Sequence, residues 1–67
     1  MSVAKITEIS ATSSKGFDEA VSNGIERASK TLKGIKGAWV KEMNVDVNDG
    51  KVETYRVTMK VTFVLED

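Results

Sequence analysis

The stretch GIKGAWVKEM, residues 34–43, holds the only tryptophan of the chain, Trp39. An indole either fills a core or presents a flat, electron-rich face on which a planar ligand stacks. Spacing leaves both roles open, and composition favours packing, because a small core gains much by burying one large ring. Arg27, Lys30, Lys33 and Lys36 recur every three residues just before it. Their plain role is to face water near a helix C-terminus, where cations are favoured. The functional alternative is a basic rim for the phosphates of a nucleotide-type ligand.

Catalysis has little to draw on. The chain contains no His and no Cys, which removes the usual general base and the thiolate nucleophile. Ser13 and Ser14 stand before a helical pattern, where capping of free backbone N–H groups explains them. The stretches SSKG and DGK lack the glycine spacing and the following Ser or Thr of a phosphate-binding loop. DVNDG, residues 46–50, resembles the opening of a calcium loop, but its glycine falls at about position five rather than six, and Val57 occupies position twelve, where a bidentate Glu belongs. A hairpin turn is the better reading. GIKG matches the GxxG of KH domains, yet that loop joins two helices, and the residues after Gly37 have an extended pattern instead.

Bulk composition narrows the partners. Ten Lys and Arg balance ten Asp and Glu, so the basic excess typical of nucleic-acid binders is missing. No apolar run approaches a membrane span, and MSVAKITEIS has no apolar signal core. These observations predict a cytoplasmic protein with neither nucleic acid nor membrane as partner. Sixty-seven residues make a single domain, 1–67, that buries only about 60% of its unfolded surface. Without disulfides or a thiolate metal site, self-association is the expected supplement to its core.

The periodicity predicts the elements that must position these side chains. SVAKITEIS, residues 2–10, is β-branched and loosely alternating, a first strand. Phe17, Val21, Gly24, Ile25, Ala28 and Leu32 recur at helical spacing, with Asp18 and Glu19 in the first turn and Gly34 at the C-terminal stop. In AWVKEMNVDV, residues 38–47, Trp39, Met43, Val45 and Val47 share one parity and Ala38 and Val40 the other, which implies two partly buried faces or a bulge. NDG, residues 48–50, signals a tight turn. Beyond it Tyr55, Val57, Met59, Val61, Phe63 and Leu65 alternate with Thr54, Arg56, Thr58, Lys60 and Thr62. The fold class is therefore α+β in the order β-α-β-β. One helix covers only one sheet face, so the face bearing Thr, Arg and Lys meets water, a cavity or another subunit.

Taken together, TSSKGFDEAV, RASKTL, WVKEM and the closing YRVTMKVTFVLED resemble the dodecin family, essentially from end to end. The resemblance implies a three-stranded antiparallel sheet with one helix on one face, assembled into a hollow homododecamer. It also implies a non-enzymatic protein that stores or scavenges a small-molecule ligand, by default a flavin such as riboflavin or FMN. In the family a Trp stacks on the isoalloxazine ring and a Gln on the last strand pairs with its pyrimidine edge. Counted from Thr31, the stacking position here is Gly37, and Trp39 lies two residues on, about 6.6 Å along a regular strand. The Gln position is Arg56, which donates but does not accept; it suits a phosphate, a carboxylate or a partner's acidic group. Dodecin-like proteins that share both departures have been considered for other ligands, calcium among them. Gly37, Trp39 and Arg56 are therefore the candidate ligand residues, with Trp39 weighted toward a core or interface role. The alternatives are a flavin-free cage that binds ions or a phosphate-bearing cofactor, and a purely structural interaction domain.

Overall fold

A computed structural model describes residues 3–65. Strand β1 (Val3–Ser13) leads to helix α1 (Phe17–Ser29), then to strands β2 (Ile35–Asn48) and β3 (Lys51–Leu65). The sheet is antiparallel in the order β1-β3-β2, so the last strand lies in the middle. That position accounts for the strong alternation of β3, the strand flanked by neighbours on both sides. Val61 is buried further along β3, and Val57 and Met59 are fully buried beside Ala20 of the helix. Ile9, Ala11, Phe17, Val21 and Ile25 pack around them. Phe17 closes one end, its ring edge-on to Tyr55 with centroids 5.1 Å apart.

The helix starts without the side-chain cap expected of Ser13 or Ser14. Gly16 takes the N-cap position and no side chain caps it. The buried Ser13 hydroxyl instead accepts from the backbone N–H groups of Lys15, at 2.9 Å, and Gly16, at 3.4 Å, and donates to Glu19 Oε1. It orders the loop that delivers the chain to the helix. The helix also stops earlier than Gly34, at Ser29. Leu32 still donates to the Ala28 carbonyl at 2.8 Å, so the stripe continues through one irregular turn. Gly34, at φ +78°, then redirects the chain into β2, which begins three residues before the predicted 38.

The β2–β3 hairpin turns at Asp49 and Gly50, both at positive φ (53° and 76°), the type I′ geometry that NDG favours. Register irregularities fall between Ile35 and Gly37, between Val40 and Glu42, and between Asp46 and Val47. The bulge at Lys41 explains the mixed parity of β2. Ala38 and Val40 pair with Val61 and Met59, while Met43 and Val45 pair with Val57 and Tyr55. All four therefore share the helix-side face, and Trp39 lies on the other, not with Met43 and Val45.

The helix packs on β1 and β3 and hardly meets β2. Val40, Met43 and Val45 are consequently exposed on the helix side of the sheet. A groove between α1 and β1, lined by Ile9, Ala11, Gly24, Ala28 and Leu32 among others, has a volume of about 460 Å³. No helix among the described residues is long and apolar enough to cross a membrane.

Gly24 sets how closely the helix approaches. A Cβ there would lie 2.9 Å from both Ala11 Cβ and Met59 Cε. The methionine methyl can swing away, but the alanine sits directly on the β1 backbone. Gly24→Val is expected to destabilise the fold by about 1–3 kcal/mol, the usual range for overpacking. A thermal unfolding midpoint unchanged at matched protein concentration would refute this account of Gly24.

Candidate functional site

The face opposite the helix carries all three sequence-predicted ligand residues. Along the β2–β3 pair its rows run Gly37 beside Thr62, Trp39 beside Lys60, Glu42 beside Thr58, Asn44 beside Arg56 and Asp46 beside Thr54. Strand alternation puts each pair on the same side of the sheet. On the other flank of β3, Glu8 stands beside Lys60 and Thr12 beside Arg56.

Gly37 and Trp39 belong to consecutive rows. The bulges fall on either side of them, at Lys36 and Lys41, so the stretch between is regular and the two-residue offset is not shortened. Trp39 is 47% exposed and so is not a core residue of the subunit. A Cβ at Gly37 would touch only Thr62 Oγ1, at an ordinary 3.5 Å. Beside the indole there is thus a strip of bare backbone, where a Cβ would make only an ordinary contact. Thr62 donates its hydroxyl to the Gly37 carbonyl at 3.1 Å, which fastens this strip to β3.

Arg56 lies two rows from Trp39, about 13 Å along the sheet. The structure brings the two onto one face but not into one site. Its guanidinium is already committed: Nη1 donates to Asp46 Oδ1 (3.0 Å) and Asn44 Oδ1 (2.9 Å), and Nη2 to Asp46 Oδ2 (2.8 Å). The hydrogen bond from Arg56, reinforced by its charge, holds the Asp46 carboxyl below the usual aspartate range. A forked guanidinium–carboxylate pair fixes both planes at once, so Arg56 buttresses the hairpin beside the Asp46 bulge. Sequence reasoning misses Asn44 and Asp46 as functional residues; the NDG turn, which folds β2 back on β3, is the available clue.

A second ion pair crosses the same face. Lys41, the bulged residue of β2, reaches Glu8 Oε1 on β1 at 3.2 Å. Lys15 and Glu19 on the helix side make a third, looser pair at 3.9 Å. Lys33 borders a shallow pocket with Gly34, Phe63, Val64 and Leu65. Arg27 donates to Thr31 at 3.0 Å, which fits solvated helix-end residues rather than a phosphate rim. Among the described residues no three acidic, His or Cys side chains gather closely enough to hold a metal ion.

The family model for dodecin matches residues 3–66. The chain belongs to the dodecin family. Its fold superposes on that of a dodecin from Streptomyces davaonensis with a TM-score of 0.94, at 41% identity, covering 98% of this chain and 97% of the other. In sequence it is 34% identical to the dodecin of Thermus thermophilus over 97% of this chain and 94% of that one. It is also 32% identical to the calcium dodecin of Mycobacterium tuberculosis, covering 94% and 89% respectively. A crystal structure of that protein, described as calcium-chelating with a novel calcium-binding site, superposes less closely, with a TM-score of 0.82 at 31% identity over 96% of this chain and 91% of that one. The β-α-β-β order and helix-on-sheet packing expected of a dodecin are those observed.

The Arg56–Asp46 pair sets a pH dependence. Because the folded-state pKa of Asp46 is depressed, its contribution to stability is complete above the ordinary aspartate pKa and lost as pH falls through the depressed value. A carboxyl ¹³C titration should find the Asp46 midpoint below the ordinary aspartate value of about 3.9, and Arg56→Gln should raise it. An Asp46 midpoint unaffected by that substitution would mean that the pair does not persist in solution.

Proposed function

We propose that this chain is a non-enzymatic, ligand-holding dodecin that assembles with copies of itself, as a homododecamer, and stacks a planar flavin-type ligand on Trp39. The observation that carries the reading is the half-exposed indole on the face opposite the helix, one row from bare backbone at Gly37. The family's stacking position has lost its ring, and the ring next along the same face supplies one. A flavin fits the stacking requirement and does not fit the pairing requirement. Arg56 has no acceptor, and its guanidinium is occupied by Asp46 and Asn44. Binding would thus rest on the aromatic contact more than on recognition of the pyrimidine edge.

Self-assembly is supported by what the helix leaves bare. Val40, Met43 and Val45 on β2, with Val3 and Leu65 near the sheet's far end, are all exposed in the single subunit. A chain with a core this small gains most by covering them with other copies. Calcium, carried in the name of the Mycobacterium relative, is the less favoured ligand. With no cluster of metal-binding side chains among the described residues of one subunit, such a site would have to be built between copies.

Riboflavin titrated into the purified protein should lose fluorescence as it stacks. Trp39→Ala should weaken binding by about tenfold, within the range that removal of an aromatic platform costs. Absence of quenching at micromolar ligand would reject the flavin reading. Light scattering should give a particle far heavier than one 7.3 kDa chain, and Met43→Lys should shift it toward smaller species. A monomer at micromolar concentration would reject the assembly.

A further inference from the structure

We infer that Lys60 selects, among planar ligands, those that carry an anionic group of the phosphate-ester type; the inference rests on the stacking reading of Trp39. Lys60 is the direct cross-strand partner of Trp39, a position at which side chains on one face lie about 5 Å apart at Cβ. A ligand stacked on the indole therefore has an ammonium at its edge.

The charges around Lys60 leave its own unspent. On the β1 side its neighbour is Glu8, but that carboxylate is taken by Lys41, whose Nζ is 3.2 Å from Glu8 Oε1. Arg56 and Asp46 neutralise each other two rows away. Glu42 lies one row on, opposite Thr58, and the ion pairs among the described residues include neither it nor Lys60. Thr62, one row the other way, has its hydroxyl turned to the Gly37 carbonyl. The row formed by Trp39, Lys60 and Glu8, with Lys41 reaching in, thus holds two ammonium groups against one carboxylate.

Arg56, the more obvious anion binder in sequence, is less available than Lys60. Releasing it would break three hydrogen bonds, two of them to Asp46. Lys60 has no such bond to give up. An ammonium on a flexible stem acts as a point charge that suits a phosphate of unspecified orientation.

The test compares riboflavin with FMN, which share one ring system and differ by a phosphate. The wild-type chain should bind FMN about fivefold more tightly at low ionic strength, a magnitude typical of an exposed charge pair. The preference should fade toward 1 M salt, where the Debye length is about 3 Å. Lys60→Gln should abolish the preference, Lys60→Arg should retain it, and Lys30→Gln, which removes the same charge from the helix end, should not alter it.

Equal binding of the two flavins by the wild type, with riboflavin binding dependent on Trp39, would overturn the role of Lys60 and leave the stacking reading standing. Loss of the preference in Arg56→Gln but not in Lys60→Gln would transfer the role to Arg56 and overturn the inference. Equal losses in Lys30→Gln and Lys60→Gln would reduce it to a general field effect and overturn it as well. If neither flavin binds, both readings fall together.

Discussion

A helix of thirteen residues is about 20 Å long, whereas fifteen extended residues of β3 span about 50 Å. That mismatch in length governs the subunit. The helix can cover only part of one sheet face, and the close contact at Gly24 commits it to β1 and β3. The core gathers where helix and central strand overlap, at Ala20, Val57 and Met59. Everything beyond that overlap, including the apolar helix-side row of β2, is left exposed by the helix. The molecule, 52 × 19 × 14 Å in extent, is too thin to hide it by any internal rearrangement.

The same geometry divides the chain's tasks between two surfaces. Apolar side chains on the helix side are not satisfied within one subunit. The opposite face is polar and mostly self-satisfied, with Arg56 bound to Asp46 and Lys41 to Glu8. Against that paired background stand an exposed indole and, in the same row, an ammonium that makes no ion pair among the described residues. Gly37 leaves bare backbone one row from the indole, whereas Arg56 is held as a structural clamp by Asp46 and Asn44.

Much of this is legible in the residues. The alternation of β3 identifies the buried row because a central strand meets neighbours on both sides. NDG places the hairpin turn because two successive residues at positive φ favour Asn, Asp and Gly. The closing run from Tyr55 carries the family, and the family carries the fold. The helix ends are easily misplaced because loop and helix use the same small polar residues; the Ser13 hydroxyl serves the turn before the helix, and Gly34 serves the turn well after it. Parity alone groups Trp39 with Met43 and Val45, because it cannot locate a bulge. The pairing of Trp39 with Lys60 is nonetheless accessible. A two-residue turn at Asp49 and Gly50, continued without interruption, pairs residue 39 with residue 60. The irregularities beside Val47 and at Lys41 add one residue on opposite strands, so they cancel before that row is reached.

The strand order has a consequence for how the chain acquires its structure. β3, made last of the three, is the strand that β1 and β2 both pair with, and among the described residues it supplies three of the four fully buried apolar side chains. During synthesis neither earlier strand has its partner, and the helix has only β1 to settle on. Folding therefore cannot proceed vectorially from the first residue. It waits for β3 and then closes contacts distant in sequence between β1 and β3 together with the local hairpin, a topology that slows the search. Until then Ile9, Phe17, Val21 and Ile25 lack the β3 side chains they pack against. The interval between emergence and closure is when association with a wrong partner is easiest.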